Sequence, residues 1–216
     1  MIAEILPSTM ASSEAHGNRG DVALLPEEES IVVCASERRR RAFTTGRACA
    51  RDALADLGLR SIPIPSEKDG TPRWPGGVVG SITHCAGYCA AVAGWASEVL
   101  CVGIDAEPNR ALPENVFRRV VMDHELAWLP DLIGTDSAVS WDRLLFSAKE
   151  ASFKAWYPLT RMWLEFTEVL ITFDLTHQTF DARLPASATA GACLSRFTGR
   201  WLASDELVVT AIAVIR

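Results

Sequence analysis

Apolar residues recur with a helical period in two long segments of the chain. From Glu37 to Leu57 the apolar Phe43, Ala50, Leu54 and Leu57 fall within about 40° of one another at 100° per residue. This predicts a helix that stops at Gly58. On the same wheel Arg40, Arg47 and Arg51 lie roughly 40 to 80° to one side of Phe43, a basic stripe along the edge of the buried face. A second helix is predicted from Trp141 to Trp156, with Ser140 as its cap and an end before Pro158. Leu144, Ala148, Ala151 and Ala155 form its buried face, while Phe146, Glu150, Phe153, Lys154 and Tyr157 gather on the opposite one. Aromatics beside a charged pair point to a second covered surface. A further helix is expected from Pro26 to about Ala35, with Glu27, Glu28 and Glu29 at the positive end of its dipole. Leu112 to Asp136 should hold one or two short helices.

Elsewhere the pattern is that of short strands. Ile2–Leu6 reads as an initial strand, Met10–Asp21 as a polar loop and Ile62–Pro75 as a proline-rich connection. Val78–Thr83 and Tyr88–Trp95 read as strands around a turn at Ala86 and Gly87, and Leu100–Asp105 as a strand cut off by Pro108. Two hairpins follow, Glu168–Phe173 with Thr179–Leu184, and Arg200–Ala203 with Leu207–Ile215. Each half of the chain thus offers a long helix followed by antiparallel strands, an α+β architecture of two similar lobes. The expected division is residues 1–107 and 108–216, one functional unit.

Composition narrows the classes. With 216 residues, 49% of them hydrophobic and 22% charged, the chain is expected to be a globular protein that needs no metal or disulfide to fold. Glu4 and Pro7 stand where a signal peptide would be basic and then apolar, and no apolar run reaches the roughly 18 residues of a membrane span. The expectation is a cytoplasmic protein with no membrane partner. A net charge of −6 argues against nucleic-acid binding, but leaves room for a local basic pocket that takes a small polyanion. Cys34, Cys49, Cys85, Cys89, Cys101 and Cys193 have no C-x2-C pair and read as buried reduced thiols.

The candidate chemistry lies in Val102-Gly103-Ile104-Asp105-Ala106-Glu107-Pro108 and Phe146-Ser147-Ala148-Lys149-Glu150-Ala151-Ser152-Phe153-Lys154. On a strand Asp105 and Glu107 point the same way, while Ile104 and Ala106 pack behind them. Two carboxylates aimed at one spot repel unless a cation or protons intervene; alone, such a pair is more often a solvated edge. Glu150 and Lys154 alone make an ordinary i,i+4 pair worth about 0.3–0.5 kcal/mol. Together, three carboxylates with waters and phosphate oxygens suit the octahedral shell of Mg2+, and a lysine one turn from the third would neutralise the same phosphate. That is equipment for phosphoryl transfer, which rests on positioning and charge stabilisation. His84 closes a strand, where a histidine is more often structural; near a phosphate it would act as a donor.

The ordered series R-R-x-F-x-x-G-R, W-P-x-G-x-x-G-S-I-T-H, G-I-D-A-E-P and W-D-R-L-L-F-S-A-K-E-A-x-x-K-A-W resembles the 4′-phosphopantetheinyl transferases, and within them the surfactin-type group, in its enterobactin-synthase-like and actinobacterial branch. The motifs span Arg39 to Trp163. The resemblance implies two similar α/β lobes about a pseudo-twofold, with coenzyme A as substrate and Mg2+, or Mn2+ in its place, in the cleft between them. It places the metal on Asp105, Glu107 and Glu150. It gives catalysis to Glu150, or a water held by it, as base, and to Lys154 as the stabiliser of the α-phosphate. Arg39, Arg47, Thr83, His84, Lys149, Lys154 and Asp105 fall at or beside coenzyme A positions. Relatives carry a basic residue near Ser66, where this chain has only the displaced Lys68; adenine would lie near Gly70-Thr71-Pro72 and Arg73. The implied partners are apo acyl or peptidyl carrier proteins, met on Phe153, Tyr157 and the region Pro113–Pro130, and the implied state is a monomer.

Two rivals remain at this point. A Mg2+-dependent nuclease could use the same acids, against which the acidic net charge stands. A catalytically inactive module that binds coenzyme A or a carrier protein would have no need of all three ligands and the lysine.

Overall fold

The computed structural model describes residues 1–20, 22–60, 62–85, 87–185 and 194–216. Helix α1 (Glu37–Asp56) is capped by Ser36, whose hydroxyl accepts from Arg39 N, and ends at Gly58, where φ is +85°. Its small buried residues Cys49, Ala50 and Ala53, with Leu54, lie on Cys89, Ala91 and Ala93 of β3 (Tyr88–Trp95). β3 is the middle of a three-stranded antiparallel sheet, between β1 (Ala11–His16) and β2 (Val78–Cys85).

β1 falls inside the stretch expected to be loop. The segment A-S-S-E-A-H has little strand propensity of its own; pairing with β3, from Ala11 opposite Ala93 to His16 opposite Tyr88, makes it a strand. Ile2–Ile5, expected as strand, is a 3-10 turn. That period brings Ile2 and Ile5 to one side, both buried beside Tyr88, Val102, Ile104 and Leu207. Pro26–Val32 is also 3-10, shorter than expected. Its Glu28 is buried, accepting from Leu25 N and Ile64 N, each at 3.0 Å, and pairing with Arg51, so it ties this turn to α1 and the proline-rich connection.

The second sheet has the order β4-β8-β7-β6-β5, all antiparallel: β4 Val99–Pro108, β5 Leu170–Asp174, β6 Thr179–Arg183, β7 Arg196–Ala203 and β8 Leu207–Ile215. Both expected hairpins are present. By hydrogen bonding β4 belongs here, so the change of sheet comes between Trp95 and Val99, before the expected division at residue 107. The short helices are α2 (Glu114–Val120) and α3 (Asp123–Thr135).

Helix α4 (Trp141–Thr160) packs Leu144, Ala148, Ala151 and Ala155 with Ile171, Phe180, Phe197 and Ile212 of the sheet. It runs through Pro158, past its expected end, and stops where Arg161 turns left-handed at φ 57° with its N–H on Tyr157 O. One missing N–H is a small loss against that packed face. Ser140 stands at the N-cap, but its hydroxyl makes no capping bond; its N–H donates to Asn109 Oδ1 instead.

The two sheets meet edge to edge without a ladder. Ile104 N donates to Ser81 Oγ and Ala106 N to Thr83 Oγ1, both at 3.1 Å, so hydroxyls of β2 take the place of the carbonyls a neighbouring strand would offer β4. This seam sets the strand carrying Asp105 and Glu107 beside the motif ending in His84. Of the cysteines, Cys49, Cys89 and Cys101 are buried, Cys85 is partly buried and Cys34 is exposed, contrary to expectation; Cys193 and the turn residue Ala86 lie outside the described residues.

Candidate active site

Strand β4 turns Val102, Ile104 and Ala106 into one core and Asp105 and Glu107 towards α4, as alternation requires. Gly103 makes the approach possible. A methyl group there would sit 2.0 Å from Ala151 O and 2.5 Å from Ala155 N, so the helix lies directly on the strand. Lys154 Nζ donates to Asp105 Oδ1 at 2.6 Å and Thr83 Oγ1 to the same oxygen at 3.1 Å. Asp105 is 3% exposed, and its Oδ2 is buried with no hydrogen-bond partner among the described residues.

Glu107 accepts from Arg143 Nη1 at 2.9 Å. Burial, then the charge of Asp105, pushes its carboxyl up to about 7 against the pull of Arg143. Burial likewise raises Glu150, with Lys154 opposing and Asp105 adding to the rise. Lys154 is raised too, which in its case favours the charged form: burial disfavours its charge, but Asp105 and Glu150 outweigh it. Asp105 therefore acts on both Glu107 and Glu150, although among the described residues no three His, Cys, Asp or Glu side chains are gathered as a ready metal cluster. The orphaned Asp105 Oδ2 and the charge of Asp105 that disfavours ionised Glu107 fit a hard cation nonetheless.

Above these groups opens a cleft of about 350 Å3, walled by α1, the 69–74 segment, β2 and α4. Arg39, Arg47, His84 and Lys154 all line it. Gly80 lets the Trp74 indole lie against β2, since a methyl group there would fall 2.5 Å from the ring. Arg47 stacks 4.3 Å from the Phe43 centroid and donates from Nη2 to Ser66 Oγ at 2.7 Å, while its Nε is buried without a partner. Burial lowers Arg47 to about 10 against the charge of Glu28, with Arg51 adding to the fall. His84 is lowered by burial, then by the charges of Lys154 and Arg39.

Other expected contacts are corrected. Lys149 is buried at 1% exposure, its ammonium donating to Glu125, Val120 O and Phe166 O; the α4 face it occupies points into the α2–α3 packing, away from the cleft. Thr83 is buried and acts on Asp105 and the β4 backbone without lining the cleft. Lys68 and Arg73 are exposed and line no part of it. Sequence reasoning missed Ser66 as the holder of Arg47, Arg143 as the partner of Glu107, and the bond from Tyr157 Oη to Asp69 Oδ2 at 2.8 Å that crosses the cleft. Only Arg143 had a sequence signal, as the arginine of W-D-R.

The raised Glu107 has a consequence for stability. The unfolded chain releases this proton near the ordinary glutamate value, but the folded protein keeps it until about pH 7. Stability in EDTA is thus expected to fall as pH rises through that window, by about 1–2 kcal/mol after allowance for solvent screening. Glu107→Gln should flatten the slope. Urea midpoints of both proteins at about pH 5 and about pH 7.5 test this; parallel behaviour would refute it.

The fold and site define a two-sheet enzyme with a basic cleft above an acidic, cation-compatible floor. Residues 27–94 match the family model of the 4′-phosphopantetheinyl transferase N-terminal domain, and residues 101–210 that of the 4′-phosphopantetheinyl transferase superfamily. The chain is 47% identical to 4′-phosphopantetheinyl transferase Svp of Streptomyces mobaraensis over 99% of its length and 89% of that protein. It is 44% identical to the transferase Npt of Nocardia iowensis, covering 99% of each chain, and 40% identical to PptT of Mycobacterium tuberculosis, covering 99% of this chain and 98% of that one. The chain belongs to the 4′-phosphopantetheinyl transferase family and is an enzyme of that kind. No helix among the described residues is long and apolar enough to cross a membrane.

Proposed function

We propose that this enzyme moves the 4′-phosphopantetheine arm of coenzyme A to a serine of an apo acyl or peptidyl carrier protein, with Mg2+ or Mn2+, as a surfactin-type transferase. The observation that supports the site assignment is the bond to Asp105 from Lys154, which lines the cleft with Arg39, Arg47 and His84, while the charge of Asp105 acts in turn on Glu107 and Glu150. Two α/β lobes about a pseudo-twofold would place coenzyme A in that cleft, the first lobe ending where the sheets change between Trp95 and Val99. The acidic net charge supports a protein that binds no nucleic acid, the fused lobes support a monomer, and the free thiols of Cys34, Cys49, Cys85, Cys89 and Cys101 support a reducing cytoplasm.

In this reading Arg39 and Arg47 hold the 3′-phosphate and His84 donates to a phosphate oxygen. The Phe43 ring holds the Arg47 guanidinium against the wall and Ser66 fixes one of its amino groups. Asp105, Glu107 and Glu150 hold the divalent cation, which supplies neutralisation of phosphate charge. The carrier serine hydroxyl attacks the β-phosphorus. Its proton passes to Glu150, directly or through a water. The new bond is serine Oγ to phosphorus; the bond from the β-phosphorus to the bridging oxygen breaks, and 3′,5′-ADP leaves with its charge met by Lys154.

Intact-mass spectrometry of an apo carrier protein incubated with the enzyme, coenzyme A and Mg2+ tests this. A gain of roughly 340 Da on the carrier serine, lost with EDTA, is expected. No gain with several carrier types would overturn the reading.

A further inference from the structure

We infer that Arg143 is a positioning residue that aims Glu107 and thereby sets how strongly the site binds a divalent cation. The guanidinium spends its planar fork on three acceptors: Glu107 Oε2 at 2.9 Å, Arg110 O at 3.0 Å and Ala111 O at 3.1 Å. Two of these are backbone carbonyls in the segment leaving β4, so the arginine is itself fixed before it meets the carboxylate. Arg143 and Glu107 are 12% and 20% exposed, in contrast with the chain's open surface pairs such as Arg118 with Glu114, at 75% and 72%. One oxygen of Glu107 is thus committed, and Oε1 accepts no hydrogen bond among the described residues.

The placement matters because Arg143 and Glu150 share a helix. Seven residues separate them in the sequence, about two turns of α4. The element that delivers Glu150 therefore also fixes the rotamer of Glu107 on the strand opposite. Without the guanidinium, a half-buried carboxylate beside Asp105 would turn away from its neighbour's charge. A rigid fork holds the two acids together at the cost of their repulsion, and a cation gains that stored repulsion when it binds.

The inference takes the three carboxylates as the cation site, and so rests on the transferase reading. It is tested by binding of Mn2+, followed by the electron paramagnetic resonance signal of the free ion, with coenzyme A present and pH constant. Arg143→Met should weaken binding by about 10- to 100-fold, as loss of outer-shell support does elsewhere. Arg143→Lys, with charge but no fork, should fall between. Asp142 fastens the same segment through Leu112 N at 2.8 Å without touching Glu107, so Asp142→Ala should stay within about twofold of the unaltered protein. Coenzyme A affinity in EDTA should not change in any of them. Native Mn2+ affinity in a folded Arg143→Met protein overturns the inference, and so does native affinity in Arg143→Lys should the methionine variant not fold. An equal loss in Asp142→Ala also overturns it, because the effect would then belong to the backbone segment. If the unaltered protein binds Mn2+ and responds to these changes but modifies no carrier, the positioning role stands and the transferase reading falls.

Discussion

Asp105→Asn is expected to lower the rate of carrier modification by at least ~10^3-fold, about 4 kcal/mol of transition-state stabilisation. Oδ1 of Asp105 binds Lys154 and the Thr83 hydroxyl, and Oδ2 has no hydrogen-bond partner among the described residues, which leaves it for the proposed cation. An amide keeps the shape but supplies neither the charge nor the second acceptor. From sequence alone, alanine at this position would be expected to spare the fold because the residue would sit in an open cleft. The structure corrects that, since Asp105 is 3% exposed and Lys154 would lose its nearest counter-charge. Even asparagine should cost roughly 1–3 kcal/mol of stability. Rates from intact-mass time courses, beside circular dichroism and coenzyme A binding in EDTA, separate the two effects. A folded variant that binds coenzyme A and transfers at the native rate would remove Asp105 from the site.

Gly103→Ala should produce the largest loss of stability, about 3–5 kcal/mol, or about 6–20 °C in Tm for a chain of this size. A methyl group at 2.0 Å from Ala151 O and 2.5 Å from Ala155 N meets the backbone of α4, with no flexible side chain there to give way. The strand carries Asp105 and Glu107 and the helix carries Glu150 and Lys154, so any relief separates the two halves of the site. Gly134→Ala in α3 is the control. Nothing lies within 4 Å of a methyl group there, and alanine is the better helix former, so stability should change by less than about 1 kcal/mol. Calorimetry of both variants decides, and similar Tm values would refute the close-packing argument.

The long helices were legible because periodicity is a local property. α1 and α4 bury the face the apolar spacing marks, and the hairpins of the second sheet follow from alternation and turn residues. The misread elements all depend on a distant partner. Ala11–His16 is a strand because β3 offers an edge, and Ile2–Ile5 is a turn because two isoleucines must enter one core. α4 passes Pro158 because its packed face outweighs one missing bond. Lys149 illustrates the limit within a motif. Its neighbours Glu150 and Lys154 face the site, but one residue back turns the side chain about 100° into the α2–α3 packing, where Glu125 meets it.

What the sequence by itself determined is the inventory: two helices, their buried faces, the strand alternation that aims Asp105 with Glu107, and an ordered set of motifs that identifies the family. Tertiary structure alone decided how the inventory meets. The hydroxyl seam of Ser81 and Thr83 against β4, the grip of Ser66 on Arg47, and the fork of Arg143 on Glu107 join residues far apart in the chain. Periodicity reports which way a side chain points from its own backbone; the distance and charge of what it meets are set by the packing of elements that no local pattern encodes.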